Sequence, residues 1–157
     1  MNDLKLLFVY EDEFSACAIK KLFKDTPFKI VEATNDGEKA IALIEKLQPD
    51  VVVCGIAIRG VDGRAVIKKA ASLNNNCKIM VLSAINDNRI IQKAVYCGAL
   101  DYVITPVSNK FVKERIVKLS QKSKTDFLKE NIKLPEDLKQ KLQKIYLSYE
   151  FPSKYNY

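Results

Sequence analysis

The sequence predicts a doubly wound α/β domain, in which helices cover both faces of a five-stranded parallel sheet with strand order 2-1-3-4-5. Two observations predict this fold. Short, almost fully apolar runs alternate with stretches of helical periodicity, and five such pairs follow one another along the chain. Strands that alternate with helices at this spacing form right-handed crossovers and a parallel sheet. Sites in such sheets lie at the carboxyl ends of the strands, near the point between strands one and three where the order reverses.

The first half of the chain predicts three strands and two helices. The strands are the apolar runs at residues 6–9, 28–33 and 51–54. The first helix is indicated by one stripe of apolar side chains, formed by Ala18, Ile19, Leu22 and Phe23. The second helix is predicted over residues 38–47, after an Asn-Asp-Gly turn that caps its start.

The second half continues the alternation with two strands and three helices. A loop over residues 59–63 opens a helix that reaches about residue 71, and three consecutive asparagines then form a loop by composition. The remaining elements are a strand at 79–82, a helix at 90–97 closed by Gly98, a strand at 101–104 and a helix at 109–120.

Length and composition bound the function classes. A chain of 157 residues fits one domain with a short extension. No apolar run approaches the roughly 18 residues of a membrane span and the N-terminus is not typical of a signal peptide, so we expect a cytoplasmic protein. The four cysteines form no CxxC pair, which favours reduced thiols over a metal site. The absence of histidine excludes His-based triads and a phosphohistidine intermediate.

The net charge of +7 is concentrated in the last third of the chain. Residues 107–157 carry 12 Lys and Arg against 6 Asp and Glu, whereas the preceding residues are nearly balanced. Such a basic region is compatible with an acidic partner, nucleic acid included. It is equally compatible with lysines that keep exposed helix faces soluble.

We divide the chain into a domain at 1–120 and an extension at 121–157. The extension begins with a basic, polar linker and ends in an aromatic tail, compatible with a remnant of a longer output region. Between them, an amphipathic helix is predicted to begin at Pro135. Its apolar face is formed by Leu138, Leu142, Ile145, Tyr146 and Tyr149. This face is expected to pack on its own domain or a second copy, or to dock another partner.

Five segments, in the expected order, resemble the receiver domain of response regulators in two-component phosphorelay signalling. They are residues 5–11 (KLLFVYE), 31–40 (VEATNDGEKA), 49–63 (PDVVVCGIAIRGVDG), 81–84 (VLSA) and 97–106 (CGALDYVITP). The resemblance extends over residues 4–120, roughly three quarters of the chain. It implies the flavodoxin-like receiver fold, in agreement with the periodicity.

The resemblance also implies a phosphoryl-transfer pocket, from which this sequence departs. In the family an aspartate after strand three is the nucleophile, two acidic residues after strand one help to hold Mg²⁺, and a lysine follows strand five. Here the nucleophile position is Gly55, the lysine position is Thr105 and the first acidic position is Tyr10. Glu11 and the hydroxyl of Ser83 are retained. We therefore expect a pseudo-receiver with no catalytic residue and no phosphoacceptor.

A cofactor is not expected in this degenerate pocket. Glu11 is the one candidate metal ligand, and with the Ala57 carbonyl it makes a poor site for Mg²⁺. Shifting the first motif by one residue would instead pair Glu11 with Asp12, which would restore a metal site but not the nucleophile. Asp50 does not replace the nucleophile, because it begins strand three about 16 Å from the pocket, and Asp62 is expected to cap the third helix.

The leading hypothesis is a non-enzymatic module that signals by protein–protein interaction. In the family the face formed by helix four, strand five and helix five mediates dimerisation and output. Here that predicted face contains Tyr102, at an aromatic position that switches between inward and outward states, together with Arg89, Gln92, Lys93, Lys110, Lys113 and Lys118. Its occupant would be a protein partner or a second copy of the chain.

Two alternatives belong to other function classes. The first is a DNA-associated response regulator that contacts nucleic acid through the basic C-terminal region; its phosphate contacts would weaken steeply with salt. The second is an enzyme or cofactor binder of the flavodoxin class. The latter is disfavoured because no glycine-rich or Ser/Thr-rich phosphate loop follows the first strand.

Overall fold

The computed structural model describes residues 3–11, 16–73, 76–123 and 125–126. Strands and helices alternate from β1 to α5. The strands are β1 Leu4–Val9, β2 Phe28–Thr34, β3 Val51–Cys54, β4 Lys78–Ser83 and β5 Asp101–Ile104. The helices are α1 Ala16–Leu22, α2 Gly37–Leu47, α3 Gly63–Leu73, α4 Asn88–Cys97 and α5 Asn109–Gln121. The predicted extension, with its amphipathic helix, lies almost wholly outside the described residues.

The five strands form one parallel sheet in the order β2-β1-β3-β4-β5, which confirms the predicted fold class and strand order. In the middle of the sheet, Phe8 is paired with Ala33 of β2 on one side and with Val53 of β3 on the other. The carboxyl ends of β1, β3 and β4 consequently lie side by side at one edge of the sheet. This is the edge at which the sequence predicts a site.

The core consists of two apolar layers, one on each face of the sheet. Because side chains alternate along a strand, Leu6 and Phe8 of β1 join one layer, and Leu7 and Val9 join the other. The first layer is covered by α1 and α5, and the second by α2, α3 and most of the buried side of α4. The near-continuous apolar runs of the sequence thus correspond to strands buried on both faces.

Helix boundaries follow local capping signals. The Asp36 carboxylate accepts hydrogen bonds from the backbone N–H groups of Glu38 (2.8 Å) and Lys39 (3.2 Å), and this caps α2 as predicted. Gly98 ends α4 with a φ of 126°, a conformation that favours glycine. The predicted α1 stripe needs correction at one position: Ala18 is exposed, whereas Ile19 of α1 and Phe23, which follows α1, are buried in the core.

No helix within the described ranges combines the length and the apolar character required to cross a membrane.

Candidate functional site

The candidate site lies where the loops after β1, β3 and β4 meet. Gly55 extends the pairing of β3 with β1, since its N–H donates to the Val9 carbonyl at 2.8 Å. Thr105 extends the pairing of β5 with β4 in the same way, through a 3.0 Å hydrogen bond from its N–H to the Ser83 carbonyl. The sheet therefore fixes the backbone on which the site residues stand.

The Glu11 carboxylate is the centre of this site. Its Oε2 atom accepts hydrogen bonds from the backbone N–H of Ile56 (2.9 Å), the backbone N–H of Ala57 (2.9 Å) and the hydroxyl of Ser83 (2.7 Å). Its Oε1 atom accepts a fourth from the N–H of Ala84, at 3.2 Å. We call these four donors the cradle. It joins the loop after β1 to the loops after β3 and β4.

Gly55 leaves the space that the Glu11 side chain occupies. A Cβ atom added at Gly55 would overlap the Cγ of Glu11 and lie 3.1 Å from its Cδ. Gly55 does not have a positive φ, so the backbone itself would accept another residue. The Glu11 side chain therefore lies in the space that a side chain at position 55, the expected nucleophile position, would take.

The electrostatics of the cradle favour an ionised carboxylate. Partial burial raises the pKa of Glu11, but the hydrogen bonds from Ser83, Ala57, Ala84 and Ile56 lower it by more, so that it lies below its ordinary value. None of the ion pairs formed among the described residues includes Glu11. The negative charge is thus held by neutral donors.

The cradle suits an anion better than a cation, because it presents N–H and O–H donors. In the described part of the chain, no three His, Cys, Asp or Glu side chains cluster as metal ligands would. The Ala57 N–H points to Glu11, the residue expected to be the remaining metal ligand. Asp12, which the alternative register would add to the site, lies outside the described residues. The backbone N–H groups of the cradle cannot be ligands of Mg²⁺, which binds oxygen atoms.

Ser83 connects the cradle to the predicted switch residue. Its hydroxyl donates to Glu11 and accepts a hydrogen bond from the Ile85 N–H at 3.1 Å. The Ile85 carbonyl in turn accepts from the Tyr102 hydroxyl at 2.7 Å. Tyr102 is only 2% exposed, so its ring lies inward, which is one of the two states expected at this position.

Tyr10 also lies away from the cradle. Its N–H continues the pairing of β1 with β2, and its side chain packs against the apolar layer beneath α1 and α5. Strand alternation explains this, because Tyr10 falls on the same face as Phe8, whereas Glu11 falls on the face of Val9. Of the six predicted pocket residues, Glu11, Gly55, Ala57 and Ser83 are brought into contact, Thr105 is joined to them through the Ser83 carbonyl, and Tyr10 packs elsewhere.

The other predicted interface residues lie on α4 and α5. Arg89, Lys93, Lys110 and Lys118 are exposed, and Gln92 and Lys113 are partly buried. The Arg89 side chain is 87% exposed and contacts Asp87 at 3.5 Å. Lys113 and Lys118 also line a shallow groove with the loop between α1 and β2, residues 25–27. Basic side chains therefore dominate these helix surfaces.

A buried ion pair, which the sequence analysis missed, fixes α5 to the sheet. Arg115 donates to both carboxylate oxygens of Asp101, at 2.7 and 3.2 Å, and the two side chains are 6% and 1% exposed. Burial raises the pKa of the Asp101 carboxyl, and the Arg115 guanidinium opposes that rise. No local sequence signal marks this pair, because its members are 14 residues apart on different elements.

This fold and site define a class: a doubly wound α/β domain with a cluster of polar groups at the carboxyl ends of β1, β3 and β4. The sequence profile of the family described as response regulator receiver domain matches residues 6–134. The chain belongs to this family of signalling domains.

Individual relatives agree with this assignment. A chemotaxis protein CheY from Listeria monocytogenes is 26% identical over 118 residues, which cover 75% of this chain and 99% of the relative. A Cyclic di-GMP phosphodiesterase from Thermotoga maritima is 31% identical over 113 residues, or 72% of this chain, which span only 30% of that relative. The crystal structure of a LuxR-family DNA-binding response regulator from Staphylococcus aureus is similar with a TM-score of 0.66 and 26% identity, covering 74% of this chain and 98% of the other.

Proposed function

We propose that this receiver domain signals without phosphorylation, as a non-enzymatic module that acts through protein contacts. The observation that carries the proposal is the replacement of a nucleophile by an internal carboxylate: Gly55 has no side chain, and Glu11 fills the space beside it. A cytoplasmic location and the absence of a Mg²⁺ cofactor belong to the same proposal.

The site lacks both components that phosphoryl transfer requires. Transfer needs a nucleophilic oxygen, and cationic groups that stabilise the charge on the transferred phosphoryl group. Gly55 supplies no oxygen, and Thr105 supplies no charge at the position where the family has lysine. The cradle donors that could contact a phosphoryl group already bind the Glu11 carboxylate.

The α4–β5–α5 face is the best-supported contact surface. Its helices present exposed Arg89, Lys93, Lys110 and Lys118, and the buried Asp101–Arg115 pair holds α5 against β5. A face that is both basic and rigidly held suits an acidic surface on a protein partner or on a second copy. A CheY from Borrelia burgdorferi, whose structure shares the fold at 19% identity and a TM-score of 0.65, is seen in complex with the protein CheX.

The absence of phosphorylation can be tested with acetyl phosphate and Mg²⁺, followed by intact-mass measurement. We expect no addition of a phosphoryl group to this chain, while a receiver domain that has the aspartate is modified under the same conditions. A stable or transient phosphoryl adduct on any aspartate of this chain would contradict the proposal.

The contact surface can be tested by charge reversal in the full chain. We expect Arg89→Glu combined with Lys93→Glu to abolish capture of a protein partner from nuclease-treated lysate, or self-association measured by sedimentation. Lys39→Glu combined with Lys46→Glu, at exposed positions on α2, is the matched control with the same change in net charge. Equal loss in both double variants would mean that overall charge, and not this face, determines binding.

A DNA-associated regulator is the second candidate, favoured by the basic composition of residues 107–157. A structural relative is described as DNA-binding. If phosphate contacts provide the affinity, the logarithm of the binding constant must fall linearly with the logarithm of salt concentration. Retention of the partner after nuclease treatment, with little salt dependence, would favour the protein-contact function.

A further inference from the structure

Four donors from two separate loops converge on one carboxylate. Three of them are backbone N–H groups, of Ile56, Ala57 and Ala84, and the fourth is the Ser83 hydroxyl. Converging backbone N–H groups form anion-binding concavities in many proteins. Because three of the donors belong to the main chain, a substitution at position 11 does not remove them.

Both loops that supply the cradle are anchored to the sheet close to their donors. The Gly55 N–H donates to the Val9 carbonyl, and the Thr105 N–H donates to the Ser83 carbonyl, so the sheet itself orients the loops after β3 and β4. Gly63 packs directly against the Gly55 carbonyl, where no Cβ could be accommodated. These contacts hold the backbone next to the donors in place on the sheet.

The occupied cradle is joined to Tyr102 by consecutive hydrogen bonds. Ser83 donates to Glu11 at 2.7 Å and accepts from the Ile85 N–H at 3.1 Å, and the Ile85 carbonyl accepts from the Tyr102 hydroxyl at 2.7 Å. The Ser83 hydroxyl thus contacts both the anion and the backbone of residue 85. Residue 85 in turn provides the acceptor that holds Tyr102 inward.

We propose that the cradle is an oxyanion site whose resident ligand is the chain's own Glu11 carboxylate, and that this tethered ligand holds Tyr102 in its inward position. The ligand class is a carboxylate or phosphate ion. The tether gives Glu11 a high effective concentration at the cradle, so an external anion cannot compete at ordinary concentrations. The inference goes beyond the proposed function, which requires only that Gly55 cannot be phosphorylated.

The test compares the wild-type chain with Glu11→Ala, both full length and labelled with ¹⁵N, during titration with inorganic phosphate or acetate at constant ionic strength. In the variant we expect saturable shifts of the Ile56, Ala57 and Ala84 amide signals, with a midpoint on the order of 1–10 mM. The wild-type signals should not change over the same range. A folded variant without saturable shifts, or a wild-type chain with the same shifts, would overturn the proposal.

Tyr102 is followed in the same samples by ¹⁹F NMR of fluorotyrosine-labelled protein, with its signal assigned from Tyr102→Phe. We expect the signal to move in Glu11→Ala and to return when phosphate saturates the cradle. Phosphate binding that leaves the Tyr102 signal unchanged would refute the link between the site and the switch residue. Ser83→Ala removes one donor and should weaken phosphate binding in the Glu11→Ala background roughly tenfold.

Two further variants separate the effect of the ligand from those of folding and net charge. Glu114→Ala, on the exposed side of α5, removes one negative charge elsewhere, and phosphate should leave its three cradle amides unchanged. Glu11→Gln keeps the shape of the side chain without its charge and serves if Glu11→Ala does not fold. We expect its cradle amide signals to move away from the wild-type positions. Signals identical to those of the wild type would show that the cradle does not hold an anion.

Discussion

Substituting Gly55 by alanine should displace the Glu11 side chain from its four donors. The added Cβ would overlap Glu11 Cγ, and the flexible glutamate side chain would move more easily than the backbone. The perturbation therefore separates the carboxylate from the cradle without changing the glutamate itself. Because Gly55 does not have a positive φ, the substitution introduces no backbone strain of its own.

The expected loss is smaller than the sum of the four hydrogen bonds. Hydrogen bonds to a charged group contribute roughly 1.5–3 kcal/mol each. The displaced carboxylate regains water, since Glu11 is only partly buried, and we therefore expect a net loss of about 2–3 kcal/mol. In a domain of this size each kcal/mol lowers the Tm by about 2–4 °C, so the shift should be roughly 5–10 °C.

A double-mutant cycle isolates the clash. In a Glu11→Ala background, Gly55→Ala meets no glutamate side chain and should change the free energy of unfolding by no more than about 1 kcal/mol, with stabilisation as the expected direction. Urea denaturation of all four proteins gives the coupling energy between the two positions. Additivity within about 0.5 kcal/mol would refute the conclusion that Glu11 occupies the space at Gly55.

Three other substitutions test separate contacts. Arg115→Met should destabilise the chain by about 3–5 kcal/mol in urea denaturation, because it leaves the Asp101 charge buried and unpaired. The pKa of Glu11 in the folded chain lies below the ordinary glutamate value of about 4.3, so its negative charge stabilises the fold above that pH. This stabilisation should disappear as the pH falls through the lowered pKa, so the free energies of unfolding of wild type and Glu11→Gln should converge in acid. Tyr102→Phe should cost about 1 kcal/mol in thermal denaturation, through loss of the hydrogen bond to Ile85.

Each of these predictions has a control elsewhere in the chain. Arg64→Met removes an accessible ion pair with Asp62 and should lower the free energy of unfolding by no more than about 1 kcal/mol. An equally small effect of Arg115→Met would show that burial does not make the Asp101–Arg115 pair more important. Glu114→Gln, at an exposed position, should have the same free energy of unfolding as wild type at both acid and neutral pH. Tyr96→Phe, at a tyrosine 56% exposed, should hardly change the stability of the chain. A loss of stability equal to that of Tyr102→Phe would show that the Tyr102 hydrogen bond has no special role.

The fold was predictable because its determinants are local. Apolar runs, the Asp36 cap and the Gly98 terminus each depend on a few neighbouring residues. The absence of a side chain at position 55 could likewise be recognised from the motif around it. Such features do not require knowledge of where distant segments meet.

The contacts made by Glu11 could not be predicted, because its donors lie 45 to 73 positions away. Strand alternation does carry a usable signal, since it places Tyr10 with Phe8 on one face of the sheet and Glu11 on the other. The Asp101–Arg115 pair gives no such signal: it forms only when α5 packs on β5. The inward position of Tyr102 likewise depends on the conformation of the loop after β4.

The Glu11 side chain beside Gly55 limits which residues position 55 can accept. An aspartate introduced there by a single mutation would place a second carboxylate in space that Glu11 already occupies, where steric overlap and like-charge repulsion both oppose it. Loss of Glu11 would relieve this conflict, but that loss alone leaves four donors without their acceptor. Positions 11 and 55 are therefore coupled, and we expect each of the two single variants to be less stable than the present chain.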